Sequence, residues 1–294
     1  MPAKPSLPVQ LLQLLRPRQW TKNLVVYAGV IFSGNLLRPH LAARATAGVV
    51  AFIFASAAVY VFNDLRDRGL DREHPRKRER PLASGAVEPW QAGLLMAAAL
   101  AGALGLALRL GSPFALTLTL YVLLNLAYTL DLKRRVILDV FSLAGGFVLR
   151  AAAGAVLVGV PVSPWLWLTT ALLALFLGFS KRRHELLLLE EGAVNHRPVL
   201  GEYSTMLLDQ LIAVVTASTL VAYALYSFTV RSPYFMLTIP FVVYGLFRYL
   251  YLVYRRDLGG SPETILLSDP PTILNLLLWA AAVVILLYLG PRAT

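Results

Sequence analysis

The chain has 294 residues, of which 57% are hydrophobic and only 15% are charged. Soluble domains average roughly 45–50% and about 25%, so this composition excludes an ordinary soluble protein and indicates an integral membrane protein. We attribute the formal net charge of +11 to membrane orientation and to anionic lipid or phosphate partners, and not to nucleic acid binding. The absence of cysteine excludes disulfide bonds.

Nine apolar runs are candidates to cross a bilayer as helices, which needs about 20 residues each. The sequence therefore predicts an all-α bundle of nine transmembrane helices. The runs lie near residues 20–37, 41–62, 88–108, 113–130, 136–158, 164–180, 204–230, 234–254 and 271–290. The first run is the weakest, because its start from Trp20 to Asn23 is polar. The N-terminal segment lacks the features of a cleavable signal peptide.

The charged residues predict how the bundle is oriented. With a cytosolic N-terminus, twenty of the 27 lysines and arginines and all 16 acids lie in or beside cytosolic segments, as the positive-inside rule requires. We therefore expect a multi-pass protein of the cell inner (plasma) membrane whose chemistry faces the cytosol. It would form one transmembrane catalytic domain, 1–294, with an interfacial segment at 1–19 and long cytosolic loops at 63–87 and 181–203.

A basic segment leads into the first run. Residues 16–23 read Arg-Pro-Arg-Gln-Trp-Thr-Lys-Asn. An interfacial belt accounts for Arg16 and Trp20, since such residues are common at the membrane surface. Lys22 and Asn23 lie one turn deeper, where a charge is kept for a partner. These two residues therefore indicate a partner beyond the interfacial belt.

The most informative stretch follows the second run. Helical spacing places Asp64, Asp67 and Asp71 on one stripe, with Asn63 beside them. Like charges stacked in this way repel one another, so a cation must lie among them. Oxygen ligands favour a hard divalent ion, Mg²⁺ above all.

The same loop also carries bases, from Arg76 to Arg80. A metal–diphosphate site requires both signs of charge, because the metal bridges carboxylate and phosphate oxygens while lysine and arginine take up the remaining phosphate charge. The alternative is a solvated helix end whose acids pair with the neighbouring Arg66, Arg68 and Arg72.

Polar residues continue into the fourth and fifth runs. Tyr128 shares a face with Tyr121 and could line a cavity or make an interhelical hydrogen bond, and Lys133 follows shortly after. Asp139 and Arg150 belong to a polar stripe of the fifth run. An arginine at this depth usually faces the bundle interior, where it serves the reaction or pairs with helix carbonyls or a tyrosine.

The second long loop begins at residues 180–185, which read Ser-Lys-Arg-Arg-His-Glu. Three bases precede a single acid, so a second acidic metal motif is missing. In a later loop, Gly259 and Gly260 could approach a phosphate through backbone N–H groups or form a plain connection. The four histidines show no zinc-ligand spacing.

These motifs resemble those of the UbiA-type intramembrane prenyltransferase superfamily. The resemblance rests on the acidic motif from Asn63 to Asp71, on the Arg-Pro-Leu-Ala-Ser-Gly sequence at 80–85, and on the nine spans. Residues 16–23, 180–185 and 259–263 are similar to a narrower branch, the decaprenyl-phosphate phosphoribosyltransferases. Typical members of the superfamily carry two acidic motifs, and the basic second motif departs from that pattern.

The resemblance implies a UbiA-like bundle with an active-site cavity open to the cytosol. It implies Mg²⁺-dependent transfer of 5-phosphoribose from 5-phosphoribosyl 1-diphosphate to a polyprenyl (decaprenyl) phosphate, releasing diphosphate, as the first step towards the lipid-linked arabinose donor for cell-wall arabinan. The metal ligands would be Asn63, Asp64, Asp67 and Asp71, of which the three aspartates would be catalytic. The substrate-binding residues would be Lys22, Asn23, Asn63, Arg66, Lys77, Arg78, Tyr128, Lys133, Lys181, Arg182 and Glu185.

Two other functions stay open. One is transfer of an isoprenyl group from its diphosphate to an aromatic or other acceptor, which would share the acidic motif, although the basic second motif argues against it. The other is transport of an anionic solute, with the charged loops as a vestibule. The sequence predicts contact with membrane lipids and does not decide between a monomer and a homo-oligomer.

Overall fold

The computed structural model describes residues 6–73, 77–161, 164–190, 198–229, 233–256, 258–260 and 262–288, and within these ranges it contains no strand. The α-helices are α1 (Leu7–Leu14), α2 (Tyr27–Phe32), α3 (Pro39–Arg66), α4 (Arg68–Glu73), α5 (Pro89–Leu110), α6 (Ser112–Leu130), α7 (Leu138–Val158), α8 (Pro164–Glu190), α9 (Thr205–Thr229), α10 (Ile239–Arg255), α11 (Pro262–Ser268) and α12 (Pro270–Tyr288). Short 3-10 helices cover Pro17–Val26, Lys77–Glu79, Leu132–Arg134, Pro198–Glu202 and Pro233–Thr238.

Eight segments of the described chain are long and apolar enough to span a membrane. They are α3, α5, α6, α7, the part of α8 up to Leu188, α9, the segment Tyr234–Arg255, and α12. The predicted first run, 20–37, is not among them. It folds as the 3-10 helix Pro17–Val26 followed by the six-residue α2, since the apolar stretch after Asn23 is shorter than the about 20 residues that a span needs.

The described chain divides into two compact units. The first unit runs up to Val30 and includes Asn35–Leu130 and Leu149–Val160. The second unit includes Ile31–Gly34, Asp131–Val148 and the chain from Pro161 onward. Each unit contains one of the two charged segments that the sequence singled out.

In the first unit, α3 packs against α5, α6 and the 3-10 helix Pro17–Val26. The ring of Phe52 lies 5.9 Å from that of Phe114 and 5.1 Å from that of Tyr121. Backbones approach closely at Gly154, where an added Cβ would lie 2.0 Å from the carbonyl oxygen of Val26. The 28 residues of α3 give a length of about 42 Å, so this helix extends beyond a hydrocarbon core of about 30 Å.

In the second unit, α8 packs against α9, and α10 packs against α12. The helix α8 continues to Glu190, so the loop predicted at 181–203 begins as helix. Its lysine, arginine, glutamate and leucine residues are strong helix formers with no glycine or proline among them. Gly260 packs on this extension, because an added Cβ would lie 2.4 Å from the His184 imidazole. The glycine pair therefore serves close packing against α8.

Candidate active site

Two buried aspartates lie where α3 ends and α4 follows. Asp64 is on the last turn of α3 and Asp71 is on α4, and they are 3% and 4% exposed. Asp67 caps α3, and its N–H donates to the Asn63 carbonyl at 2.9 Å. The Asp71 N–H donates in turn to the Asp67 carbonyl at 2.8 Å. Hydrogen bonds of helical spacing thus cross the junction between the two helices.

One arginine side chain joins the two aspartates. Arg80 Nη1 donates to Asp64 Oδ1 at 3.0 Å and to Asp71 Oδ2 at 2.8 Å. Arg16 forms a second ion pair with Asp64, and Lys77 Nζ lies 3.9 Å from Asp71 Oδ1. Because burial penalises an isolated carboxylate, these cations offset the cost of placing two acids in this position.

The segment after α4 folds back onto that helix and carries Arg80 with it. Leu82 and Val87 are buried in a cluster with residues of α1 and α3. Arg68 Nε donates to the Leu82 carbonyl at 3.1 Å, and Arg72 Nε donates to the Ala83 carbonyl at 3.2 Å. Arg68 and Arg72 therefore hold the loop that carries Arg80 against α4.

Arg16 reaches the acids from the N-terminal segment through an unusual backbone. Its φ of 51° and ψ of 63° lie in the left-handed region, which residues with a Cβ adopt rarely. The Trp20 indole N–H donates to the Leu15 carbonyl at 2.9 Å and fixes this turn. The Arg16 guanidinium lies 5.0 Å from the centre of the Tyr60 ring, as in cation–π pairs.

A second polar cluster of the first unit surrounds Arg150. Its Nε donates to Asn23 Oδ1 at 2.9 Å, and its Nη2 donates to the Tyr121 hydroxyl at 2.7 Å. Asn23 is completely buried and donates to Ser56 Oγ at 3.2 Å. Arg150 therefore pairs with a tyrosine, which is one of the alternatives that the sequence left open. Asn23, predicted to bind substrate, is enclosed in this cluster.

The second unit contains a buried ion pair between α7 and α8. Arg182 and Asp139 are 1% and 0% exposed, and Arg182 Nε donates to Asp139 Oδ2 at 2.6 Å. Arg182 Nη1 also donates to Glu185 Oε2 at 2.6 Å, and the Tyr203 hydroxyl donates to Asp139 Oδ1 at 2.8 Å. Burial raises the pKa of Tyr203, and the hydrogen bond to Asp139 raises it further. Arg182, predicted to bind substrate, is enclosed between two acids. Of these, Glu185 is the one that is partly exposed.

The other predicted substrate ligands are accessible, since none of them is buried. In the first unit, the exposed ones are Arg66 and Arg78, and the half-buried ones are Lys22, Asn63, Lys77 and Tyr128. In the second unit, the half-buried ones are Lys133 and Lys181. Of these residues, Lys77 approaches the buried aspartates.

The acidic motif has the donor chemistry of a magnesium site. It offers oxygen donors only, from Asn63, Asp64, Asp67 and Asp71, and such donors suit a hard divalent ion. The Arg80 nitrogen shows that the position between the two buried carboxylates accepts a cation. Among the described residues, no three acidic or histidine side chains lie close enough together to hold a metal ion. The residues thus fit Mg²⁺ by donor type and charge, although the predicted set is not assembled.

The partners of the acids were not predicted. Arg16 was assigned to an interfacial belt and Arg80 only to a basic run, whereas both bind Asp64. The alternative was pairing of the acids with Arg66, Arg68 and Arg72, but Arg68 and Arg72 donate to loop carbonyls. The signal that could have found Arg80 was its place at the head of the Arg-Pro-Leu-Ala-Ser-Gly motif.

Comparison with known proteins agrees with these features. The model of the UbiA prenyltransferase family matches residues 24–268. The curated decaprenyl-phosphate phosphoribosyltransferase of Corynebacterium glutamicum is 31% identical over 292 residues, covering 96% of this chain and 87% of that protein. The curated protein of the same name from Mycobacterium tuberculosis is 32% identical over 277 residues, covering 92% of this chain and 91% of that protein.

Solved structures share the architecture. A UbiA homologue from Archaeoglobus fulgidus, bound to GPP and Mg²⁺, superposes with a TM-score of 0.74 at 22% identity, covering 94% of this chain and 99% of that one. At this identity, the likeness shows a common fold. The helices that carry the acidic motif therefore belong to an architecture already seen in a UbiA homologue.

Proposed function

Because the chain belongs to the UbiA prenyltransferase family, we propose that it transfers 5-phosphoribose from 5-phosphoribosyl 1-diphosphate to a polyprenyl phosphate such as decaprenyl phosphate. The observation that carries this proposal is the similarity, at 31% and 32% identity over nearly the whole chain, to curated decaprenyl-phosphate phosphoribosyltransferases. Diphosphate is the second product. The reaction would open the route to the lipid-linked arabinose donor of cell-wall arabinan.

The distribution of charge supports a phosphorylated sugar donor. The first unit has one acidic motif with two buried aspartates, and the second unit has a basic segment at 180–185. The proposed donor carries a diphosphate and a separate 5-phosphate, and the acceptor carries a third phosphate group. One metal site for the diphosphate, with lysine and arginine for the other phosphates, matches that count of charges.

We assign the binding of Mg²⁺ to Asn63, Asp64, Asp67 and Asp71. When bound, the metal would neutralise the charge that develops on the leaving diphosphate. Further neutralisation is assigned to Arg66, Lys77 and Arg78. These side chains are exposed or half-buried, so an incoming diphosphate can reach them.

The chemistry requires orientation and charge stabilisation more than proton transfer. An oxygen of the lipid phosphate attacks the anomeric carbon while the bond from that carbon to the diphosphate breaks. A phosphate monoester, with a second pKa near 6, is largely dianionic at neutral pH, so no side chain must remove a proton. In-line attack inverts the anomeric carbon and converts the α-diphosphate into a β-phosphodiester.

The remaining predicted ligands divide into two groups. Contacts with the 5-phosphate, the ribose hydroxyls and the lipid phosphate are assigned to Lys22, Tyr128, Lys133, Lys181 and Glu185. The enclosed Asn23 and Arg182 are assigned positioning roles, in which Asn23 holds Arg150 and Arg182 holds Glu185.

The protein is a multi-pass membrane protein. We place it in the plasma membrane, with its N-terminus and the acidic motif on the cytosolic side. Since α3 crosses the membrane between Pro39 and Asp64, this placement requires residues 17–38 to cross it as well, as the 3-10 helix Pro17–Val26 and the short α2. The support is the concentration of lysine, arginine and all 16 acids at one set of helix ends.

Product formation tests the proposal. Membranes containing the protein are incubated with radiolabelled 5-phosphoribosyl 1-diphosphate and decaprenyl phosphate, with Mg²⁺ or with EDTA, and are then extracted with organic solvent. We expect label in the organic phase only when metal is present. Turnover of an isoprenyl diphosphate alone would favour isoprenyl transfer instead. No covalent product from either donor would favour transport of an anionic solute.

A substitution tests the acidic motif in the same assay. Asp71→Asn removes one charge from the assigned ligand set, and we expect Mg²⁺-dependent product formation to fall by at least about 100-fold, since even changes outside the ligand shell cost 10–100-fold. Glu73→Gln is the matched control, because Glu73 is an exposed acid on the same helix. Equal losses in both variants would contradict the assignment.

A further inference from the structure

The contact between Arg80 and the two aspartates places a nitrogen atom where a shared metal ion would lie. Arg80 Nη1 is 3.0 Å from Asp64 Oδ1 and 2.8 Å from Asp71 Oδ2. Both carboxylates are almost fully buried, and burial of a carboxylate is costly unless a cation is paired with it. Arg80 contacts both carboxylates, whereas Arg16 pairs with Asp64 and Lys77 approaches Asp71.

A divalent ion bound by both oxygens would need the same space. Mg²⁺ lies about 2.0–2.1 Å from its oxygen ligands, so an ion shared by Asp64 and Asp71 would sit between the two atoms that Arg80 Nη1 now bridges. The ion and the guanidinium would also repel each other strongly at such a distance. The two cations can therefore occupy this position only in turn.

The side chain of Arg80 is able to leave, because its backbone is held by other contacts. Its side chain is 31% exposed, whereas Leu82, two residues later, is 1% exposed and accepts a hydrogen bond from Arg68. Arg72 holds the Ala83 carbonyl in the same way. A long side chain on a fixed loop can turn towards solvent while the loop keeps its fold.

We propose that Arg80 is the resident counter-cation of the metal-free protein, and that Mg²⁺ binds between Asp64 and Asp71 by displacing it. This inference rests on the proposed function, because it takes these aspartates to be metal ligands. If Mg²⁺ must displace Arg80, the metal affinity depends on Arg80 although this residue is not a metal ligand. Removing the guanidinium should therefore tighten metal binding and destabilise the metal-free protein.

The test uses the purified full chain in detergent, without either substrate. Mg²⁺ is titrated while the melting temperature is followed, and Mn²⁺ binding is measured by electron paramagnetic resonance. In Arg80→Met we expect a lower melting temperature without metal and a half-saturating metal concentration about tenfold below that of the unchanged protein, the effect of an ordinary coupling between neighbouring charges. Arg80→Lys, which keeps a charge, should lie between the two.

Arg109→Met is the matched control. Arg109 is an exposed arginine in the last turn of α5, outside the acidic motif and the loop that carries Arg80, so its replacement should leave the metal titration unchanged. If Arg80→Met does not fold, the comparison of Arg80→Lys with Arg109→Met decides the question by the same two measurements.

The outcomes separate this inference from the proposed function. Equal or weaker metal binding in both Arg80 variants would overturn the exchange, while Mg²⁺-dependent product formation by the unchanged protein would leave the proposed function standing. If the unchanged protein shows neither a metal-dependent melting shift nor bound Mn²⁺, both the exchange and the metal assignment are overturned.

Discussion

At the scale of single residues, Asp139 shows how much depends on one buried charge. It is completely buried and accepts hydrogen bonds from Arg182 and Tyr203. Asp139→Asn removes one of the two acids paired with an enclosed guanidinium and leaves Glu185 as the other, so we expect the free energy of unfolding to fall by about 1–3 kcal/mol. Denaturation of the protein in detergent measures the change.

The control for Asp139 is an acid in an exposed ion pair. Asp131 and Arg135 are 2.6 Å apart, but their side chains are 54% and 61% exposed. Such a pair contributes at most about 1 kcal/mol, so Asp131→Asn should change the stability little. Similar losses in the two variants would contradict the importance assigned to burial.

Residue spacing located the acids but could not locate their partners. The repeat of Asp64, Asp67 and Asp71 is local, and helical geometry follows from it directly. The ion pairs with Arg16 and Arg80 join residues 48 and 16 positions away from Asp64. Such contacts depend on how the N-terminal segment and the loop fold back, which short-range periodicity does not encode.

At the scale of helices, Gly154 sets the distance between α7 and the N-terminal segment. A Cβ at this position would lie 2.0 Å from the Val26 carbonyl oxygen, and backbone on both sides leaves no flexible group to yield. We expect Gly154→Ala to destabilise the protein by about 1–3 kcal/mol and to disturb the bond between Asn23 and Arg150. Thermal denaturation and the transfer assay measure the two effects.

The matched control for Gly154 is another glycine within a helix. Gly105 on α5 has no atom within 4 Å of an added Cβ. Gly105→Ala should leave the stability unchanged or raise it, because alanine favours helix. A loss as large as that of Gly154→Ala would show that close approach is not the cause.

Asp269 joins α10 to the start of α12. Arg248 Nε and Nη2 donate to its two oxygens at 3.1 and 2.8 Å, and the Thr272 N–H and hydroxyl donate at 3.0 and 2.6 Å. These hydrogen bonds, of which those from Arg248 have the largest effect, lower the pKa of Asp269 from the usual 3.8 to about 2. The ionised carboxylate therefore stabilises the folded state.

The pH dependence of stability follows from this lowered pKa. The contribution of Asp269 is present above the unfolded value of 3.8 and is lost as the pH falls towards the folded value of about 2. We expect Asp269→Asn to melt below the unchanged protein at about pH 6 and to match it only once the pH has fallen below the folded value of about 2. Melting curves across this range test the prediction, and a difference that persists at the acid end would contradict it.

Composition was sufficient to predict most of the membrane-spanning helices, but it did not predict every helix boundary. Eight predicted runs correspond to candidate spans, because length and apolar content alone define a span. The first run does not correspond to one, since Pro17 and the polar residues up to Asn23 direct the chain into a 3-10 helix. The helix α8 continues past Ser180, because charged residues with high helix propensity extend a helix beyond the apolar part.

At the scale of the whole molecule, the orientation in the membrane can be tested with little background. The chain contains no cysteine, so one introduced thiol is the only site of maleimide labelling. We expect a cysteine at the exposed Arg38 to be labelled from outside right-side-out vesicles, and a cysteine at the exposed Arg78 to be labelled only after permeabilisation. The reverse pattern would place the acidic motif on the outer side.

The length of α3 links the acids to the thickness of the surrounding lipid. One uninterrupted helix connects Pro39 to the turn that carries Asp64, so the height of that carboxylate above the headgroups changes when the bilayer thins or thickens. Reconstitution into lipids of increasing acyl chain length should give a transfer rate with an optimum. An enzyme of this kind would be tuned to the membrane of its cell by the number of turns in a single helix.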